Sequence, residues 1–204
     1  MLRLDHLAVS TKVLAAGVEA VEAALGVTLA GGGQHGHMAT HNRLLGLGDV
    51  YLEVIAIDPT APRPAWPRWF DLDNFVGPPR LTNWVAACAD LDAEVVASPL
   101  GIGVPLALSR GDLRWRMAVP EDGRLPFDGA FPALIHWQGP AHPAARLPDV
   151  GVRLTRLEVA HPEAATLTDL LAGRLADPRV IIVAGQEKAL RASFATPHGV
   201  RVLT

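Results

Sequence analysis

The feature that most constrains the fold of this 204-residue chain is one order of elements that recurs along it. Residues 4–58 read as a strand, a helix and then two or three strands, because alternating apolar positions give way to a helical stripe and then alternate again. The same order starts at residue 81 and again at residue 154, with about 75 residues per unit. The sequence therefore predicts repeated units rather than unrelated domains.

Within the first unit, apolar residues spaced four, three and four positions apart predict a helix with the stripe Leu14, Val18, Val21 and Leu25. Ser10 or Thr11 is expected to cap the start of this helix, and Gly26 its end. Two strands joined by a tight turn at Gly48-Asp49 complete the unit. Helical spacing followed by alternation is typical of an α+β unit.

The predicted organisation is a first domain of residues 1–148 and a third unit of residues 151–204. The first domain contains modules 1–58 and 81–138, joined by the connector 59–80. This connector is rich in proline and aromatic residues, so we expect it to pack over the protein rather than to form a free linker. The third unit is expected to pack on the other two within the chain or to pair across a homodimer.

Charge and cysteine content exclude several classes of partner. The net charge is −3 and there is no basic run, which argues against a nucleic-acid partner. The single cysteine, Cys88, excludes a disulfide framework and suits a reducing compartment. The uncharged stretch 95–109 is too short and too broken by proline and glycine to span a membrane, and no signal peptide is evident. We therefore expect a cytoplasmic protein with no membrane partner.

Common catalytic motifs are missing from the sequence. It has no nucleophile-elbow pattern of the kind that places a catalytic serine between two glycines. The glycine-rich run 31–36 lacks the lysine or helix context of a phosphate-binding loop, so no nucleotide cofactor is expected. This run, which contains His35 and precedes His37 and His41, is interpreted as a substrate lid or as an ordinary loop.

Three titratable residues interrupt otherwise apolar strand faces: His6, Glu53 and His136. A lone carboxylate such as Glu53 is costly to bury unless it is paired, protonated or bound to a cation. Two imidazoles and one carboxylate that meet in a cavity would suit Zn²⁺, Fe²⁺, Mn²⁺ or Ni²⁺. The alternative for each histidine is an ordinary packing or surface residue.

Further polar and aromatic residues are candidates for substrate binding. His41, Asn42 and Arg43 lie in one predicted strand, so alternate members face the interior and could bind substrate oxygens. His142, in a loop past His136, is a candidate to cover the pocket. Stacking surface for an aromatic ligand is available from the five tryptophans Trp66, Trp69, Trp84, Trp115 and Trp137.

The segments "LDHLAVS" and "THNRLLGLGDVYLEVIAID" resemble the vicinal oxygen chelate superfamily, which includes glyoxalases, bleomycin resistance proteins and dioxygenases. The nearest resemblance is to its glyoxalase-like group of bacterial proteins. It implies βαβββ modules that form an incomplete barrel around a cavity, with metal ligands on the first and last strands of each module. These positions hold His6 and Glu53 in the first module and Asn83 and His136 in the second. Asn83 departs from the usual histidine or glutamate.

The function that this resemblance implies is that of a divalent-metal-dependent lyase, isomerase or dioxygenase. Such an enzyme would act on a small substrate with adjacent oxygen atoms. His6, Glu53 and His136 would hold the metal, and Glu53 could instead act as a base. The alternative is a non-catalytic, resistance-type protein of the same fold that binds a small molecule, which the substitution at Asn83 favours.

Overall fold

All 204 residues are described by the structure, a computed structural model. The first unit consists of β1 (Arg3–Ser10), α1 (Leu14–Leu25), β2 (Gln34–His35), β3 (Thr40–Gly46) and β4 (Tyr51–Ile57). Its strands lie in the order β2-β3-β4-β1, with β4 parallel to β1 and antiparallel to β3. This arrangement places the last strand of the unit beside the first.

Helix α1 starts later than the sequence suggested. Val13 occupies its cap position without a side-chain hydrogen bond, because the Thr11 hydroxyl donates to the Val13 carbonyl oxygen at 3.0 Å instead of capping the first turn. The other end is as expected. Gly26 has φ 72°, and its N–H donates to the Glu22 carbonyl oxygen.

The second unit has the same topology. It consists of β5 (Arg80–Ala87), α2 (Leu91–Val96), β6 (Val104–Arg110), β7 (Leu113–Val119) and β8 (Ala133–Trp137). Strand β8 is parallel to β5 and antiparallel to β7. Strands β1 and β5 pair antiparallel and join both units into one eight-stranded sheet, ordered β2-β3-β4-β1-β5-β8-β7-β6. The predicted α+β fold of paired βαβββ modules is confirmed.

The third unit repeats the order of elements but not their pairing. It consists of β9 (Arg153–His161), α3 (Ala164–Leu171), β10 (Val180–Ala184), β11 (Ala189–Thr196) and β12 (Gly199–Leu203). Its sheet has the order β10-β9-β11-β12, so the strand that follows the helix is the one parallel to the first strand. The cause is the path after α3, where residues 172–179 return the chain to the edge of β9.

The third unit lies against the first two within the same chain. Helix α1 contacts both β4 of the large sheet and β12 of the small one. The Leu81 N–H donates to the carbonyl oxygen of Thr204 at 3.2 Å. Buried apolar residues of all three units form one continuous core, with Trp84, Phe131 and Phe194 among the largest fully buried side chains. No helix is long and apolar enough to cross a bilayer.

The eight-stranded sheet curls until its two edge strands approach each other. His35 of β2 and Arg110 of β6 contact across this gap, with 3.2 Å between Nε2 and Nη1. The connector 59–80 packs over the open side through a 3-10 turn at Trp69–Asn74, where Trp69 and Phe70 are buried. A nearly closed barrel with a covered interior results.

Candidate functional site

The inside of the curled sheet contains a small cavity, and the space between its lining atoms is about 390 Å³ when the part open to solvent is included. Its polar lining comes from both barrel edges and from the central strands, and consists of His6, His35, Asn42, Tyr51, Glu53 and Arg110. Large apolar side chains from the second unit and the connector close the rest of the cavity, and they include Trp69, Phe70, Trp115 and Trp137. A few polar groups in an aromatic enclosure are typical of a small-molecule site.

Glu53 is the central group of this cavity. It lies on β4, is 5% exposed, and accepts a hydrogen bond from Asn42 Nδ2 on the adjacent strand at 2.5 Å from Oε1. Its other oxygen, Oε2, faces His6 Nε2 at 3.7 Å. The parallel pairing of β1 and β4, with Ala8 opposite Glu53, brings these two side chains together. The carboxylate is thus buried and oriented on both sides.

Asp5 joins the site because of a β-bulge. The register between β1 and β5 shifts between Leu4 and His6, so Asp5 has no partner on β5 and its carboxylate reaches the side of the strand that His6 occupies. Asp5 Oδ1 lies 2.6 Å from His6 Nδ1. Asp5 Oδ2 accepts from Trp137 Nε1 at 2.8 Å and lies 3.0 Å from His142 Nε2.

These contacts keep Asp5 ionised. Burial on its own would raise the Asp5 pKa, but the hydrogen bonds and charges of His142 and His6 outweigh burial and hold it well below its usual value. With His6 Nδ1 bonded to Asp5, Nε2 is the atom left to face Glu53. The Tyr51 ring stacks on the His6 ring at 4.4 Å, and burial followed by the charges of Asp5 and Glu53 raises the Tyr51 pKa, so its hydroxyl stays neutral.

A cation lies opposite Glu53. Arg110 Nη1 is 3.2 Å from His35 Nε2 and 3.3 Å from Asn42 Oδ1. Burial, and then the Arg110 charge, lower the His35 pKa to about 4 despite the opposing effect of Glu53. His35 is therefore a neutral imidazole at neutral pH, and its Nε2 accepts the hydrogen bond from Arg110.

The glycine-rich run lies against strand β3 at Gly32 and Gly33, although most of its residues are exposed. A Cβ atom on Gly32 would lie 2.0 Å from the Asn42 carbonyl oxygen, so only glycine allows this approach. The Gly33 N–H donates to Asn42 Oδ1 at 2.8 Å. The loop thereby fixes the Asn42 amide with its oxygen toward Arg110 and its NH₂ toward Glu53.

The expectation that His136 completes the cluster is not met. Ile135 and Trp137 line the cavity, and since side chains alternate along a strand, His136 lies on the outer face of β8. There its Nδ1 donates to the Cys88 carbonyl oxygen at 3.0 Å. In the pairing of β7 with β8, His136 lies opposite Arg116. The Arg116 guanidinium donates to the Asp92 carboxylate of α2. The sequence indicated an anomalous residue but not the face it occupies.

Of the predicted polar substrate-binding residues, Asn42 lines the Glu53 cavity and the others lie elsewhere in the structure. On β3, Asn42 is inside, whereas His41 and Arg43 lie on the outer face against α1. Trp84 is fully buried and donates to the Ala130 carbonyl oxygen at 2.8 Å, so it is not a stacking surface. His142 contacts the site only through Asp5 and neighbouring aromatic rings. Asn83 lines a separate pocket described below.

Comparison with known proteins places the chain in a family. The sequence profile of the glyoxalase-like domain matches residues 4–175. The chain belongs to the glyoxalase-like domain family. Its paired modules have the vicinal oxygen chelate fold, and the family match extends through β9 and α3 of the third unit.

Solved structures resemble this glyoxalase-like protein at low sequence identity. A hypothetical protein from Staphylococcus aureus has a TM-score of 0.60 at 12% identity, over 92% of this chain and 88% of that chain. Methylmalonyl-CoA epimerase from Streptomyces coelicolor has a TM-score of 0.45 at 16% identity, over 68% and 98% of the two chains. The epimerase from Mycobacterium tuberculosis has a TM-score of 0.45 at 18% identity, over 70% and 91%. The comparison with curated proteins finds no match.

The residues of the glyoxalase-like protein do not fit the metal site that the resemblance implied. Only His6 and Glu53 of the three predicted ligands meet, and no group of three His, Cys, Asp or Glu side chains is placed to hold a metal ion. The nearest further imidazole, His35, lies 4.0 Å from Glu53 but bonds to the Arg110 cation. A positive side chain at that position opposes a divalent cation.

We expect the protein, purified without a chelator or a His-tag, to contain well below one equivalent of any transition metal. Because Arg110 already supplies a positive charge in the cavity that Glu53 lines, incubation with EDTA should leave ligand binding unchanged. Elemental analysis and tryptophan fluorescence titration measure these two results. A full equivalent of one metal that disappears in both His6→Ala and Glu53→Gln would contradict the expectation.

Proposed function

We propose that this protein is an enzyme that removes a carbon-bound proton from a small substrate with adjacent oxygen atoms, with Glu53 as the base. The observation that carries the proposal is the Glu53 carboxylate itself, buried in the cavity, bonded to Asn42 at 2.5 Å and facing His6 at 3.7 Å. A general base must be fixed within reach of the substrate and kept from bulk water. The hydrogen bond from Asn42 on one side and the His6 ring on the other orient the carboxylate for that task.

Arg110 supplies the complementary charge in this proposal. When Glu53 takes the proton, the electron pair of the C–H bond moves toward the neighbouring carbonyl, whose oxygen becomes an enolate oxyanion. Only one guanidinium nitrogen of Arg110 is bonded to His35 and Asn42, so the others can donate to that oxygen. A fixed cation in a cavity shielded from water stabilises such a charge far more than it would in bulk water.

Trp69 provides a second reason to expect a substrate oxygen here. It lines the cavity, and its indole Nε1 is the one buried side-chain nitrogen or oxygen that lacks a hydrogen-bond partner. Buried donors are rarely left unpaired in folded proteins. A substrate oxygen beside Trp69 would satisfy this donor.

Return of the proton to a different atom makes the reaction an isomerisation, and return to the opposite face of the same carbon makes it an epimerisation. Loss of a leaving group from the neighbouring carbon makes it a lyase reaction. All three share the Glu53 step, and the chain's own residues supply every group that the step requires. The resemblance to the family supports this class of chemistry.

A non-catalytic binding protein is the second candidate function. The aromatic side chains of Trp69, Phe70, Trp115 and Trp137 line one cavity and favour a planar ligand. Such a protein would bind its ligand with quenching of tryptophan fluorescence and would leave it chemically unchanged.

Proton exchange in D₂O separates the two candidates. Hydroxyacetone, pyruvate and phenylpyruvate carry exchangeable C–H groups beside carbonyls and differ in size and charge, and ¹H NMR follows the loss of each C–H signal. We expect exchange of at least one of them to exceed the buffer-catalysed rate. Fluorescence quenching without faster exchange would establish the binding protein instead, and the absence of both effects would overturn the proposal for this substrate class.

Arg110→Met is expected to lower the enzyme-dependent exchange rate by about 10²–10³-fold, which is the usual effect of losing one oxyanion donor. Arg43→Met is the matched control, because Arg43 lies on the outer face of β3 and does not line the cavity. An exchange rate in Arg110→Met equal to that in Arg43→Met would show that Arg110 has no part in the reaction.

A further inference from the structure

A second pocket lies next to the Glu53 cavity, on the other side of Phe70, whose side chain lines both. It is an open pocket between the connector, β5, the segment 124–129 and the loop that precedes β11, and its space of about 890 Å³ includes the part open to solvent. Because that loop belongs to the third unit, the pocket exists only where the third unit meets the other two. No residue proposed for the chemistry at Glu53 lines it except Phe70.

Basic side chains from three separate segments line this pocket. Lys188 donates from Nζ to the Thr82 carbonyl oxygen at 2.5 Å and is partly buried. Arg80 lies 4.5 Å above the Phe75 ring and donates to the Val76 carbonyl oxygen at 2.7 Å, which fixes its guanidinium.

Arg124 is the third basic residue of the lining and lies 3.4 Å from Asp71. Asp128 is the other carboxylate there, so the pocket carries a net positive charge.

Asn83 presents an unpaired amide to this pocket. It is 4% exposed, yet its side chain makes no hydrogen bond within the protein. Gly129 lies directly beside it: a Cβ atom at that residue, whose φ is 85°, would be 2.6 Å from Asn83 Nδ2. Trp69 Nε1 is the one fully buried side-chain nitrogen or oxygen without a partner, so the Asn83 amide keeps some access from the pocket and is free to bind a ligand there.

We propose that this pocket binds the carboxylate or phosphate group of a small molecule, held by Lys188, Arg80 and the Asn83 amide. These groups are all hydrogen-bond donors toward an oxyanion, and an anion between the partly buried Lys188 and the exposed Arg80 offsets the repulsion between the two cations. Burial, and then the charge of Arg80, lower the Lys188 pKa to about 8. A bound anion would offset that repulsion. Binding here does not require Glu53 to act as a base.

The two lysines of the chain make a direct test possible, because Lys12 lies in the exposed turn before α1 and Lys188 lies in the pocket. Reductive ¹³C-methylation gives each lysine its own NMR signal, assigned with Lys12→Arg. Inorganic phosphate and citrate are titrated separately at constant ionic strength. We expect a saturable shift of the Lys188 signal and none of the Lys12 signal; the anion that causes it distinguishes phosphate from carboxylate.

Calorimetry on unmodified protein provides the second measurement. Lys188→Met should weaken binding of the active anion by about tenfold or more, since a charge-assisted hydrogen bond is lost. Lys12→Met is the matched control and should bind as the wild type does. Equal shifts of both lysine signals, unsaturable shifts, or equal affinities of the two variants would overturn the proposal. If Lys188→Met does not fold, the wild-type titration decides alone.

Discussion

Glu53→Gln is expected to reduce enzyme-dependent C–H exchange by about 10²–10⁴-fold, the range that one general base contributes. Glutamine has the size of glutamate and its amide oxygen can accept the same hydrogen bond from Asn42, so the cavity keeps its shape. The basic oxygen is lost, however, and proton transfer loses its acceptor. The measurement is the D₂O exchange rate with whichever of the three carbonyl compounds the wild type exchanges fastest.

Binding by Glu53→Gln should change much less than the rate, which fluorescence titration with the same compound measures. Glu19→Gln, on the exposed face of α1, is the control for loss of a carboxylate elsewhere. A rate within about threefold of wild type in Glu53→Gln would be incompatible with a base at this position. It would leave Glu53 as a structural partner of Asn42 and His6.

Asp5→Ala is expected to lower the free energy of unfolding by about 3–5 kcal/mol, because it removes one partner from a buried charged network. Trp137 Nε1, His142 and His6 Nδ1 all lose their common acceptor. Urea unfolding followed by circular dichroism measures the change. Asp112→Ala removes a carboxylate from an exposed pair with Arg146 and should leave the unfolding midpoint nearly unchanged.

The lowered pKa of Asp5 also leads us to expect that the free energy of unfolding depends on pH. Since its pKa in the folded protein lies below that of an unfolded aspartate, about 3.9, Asp5 stabilises the fold fully above that pH. Its contribution is lost as the pH falls below about 4 and the unfolded state binds the proton first. Other carboxylates with lowered pKa values act in the same window, so the difference between wild type and Asp5→Asn isolates Asp5. Parallel stability curves for the two proteins below pH 4 would refute this.

The local sequence pattern predicts the residues of this site where a titratable side chain interrupts an otherwise apolar strand. Glu53 and His6 could be selected because each interrupts an apolar strand, and the two strands pair directly. His136 shows the limit of the pattern, because alternation alone does not say which set of side chains faces inward. Asp5 could not be selected, since a bulge on β1 changes the side it occupies, and a bulge depends on the register with β5.

The sequence pattern does not predict contacts between residues on the two distant edges of the large sheet. His35 and Arg110 meet only because the sheet curls, and no spacing along the chain encodes that contact. The sequence predicts that Asn83 binds substrate in the same cavity as His6, whereas Asn83 lines a second pocket on the other side of Phe70. In the third unit the order of elements was predictable, whereas strand pairing was not, because the path after α3 decides which edge of β9 the chain rejoins.

The contact between His35 and Arg110 gives the barrel a seam made of side chains rather than of paired backbones. Strands β2 and β6 can therefore move apart without breaking a hydrogen-bond ladder, while the junction of β1 and β5 holds both halves together. Insertions or deletions in the loops before β2 and before β6 would alter which molecules can enter the cavity. They would leave the pairing at the centre of the sheet intact. Specificity and stability can thus vary independently in a fold of this kind.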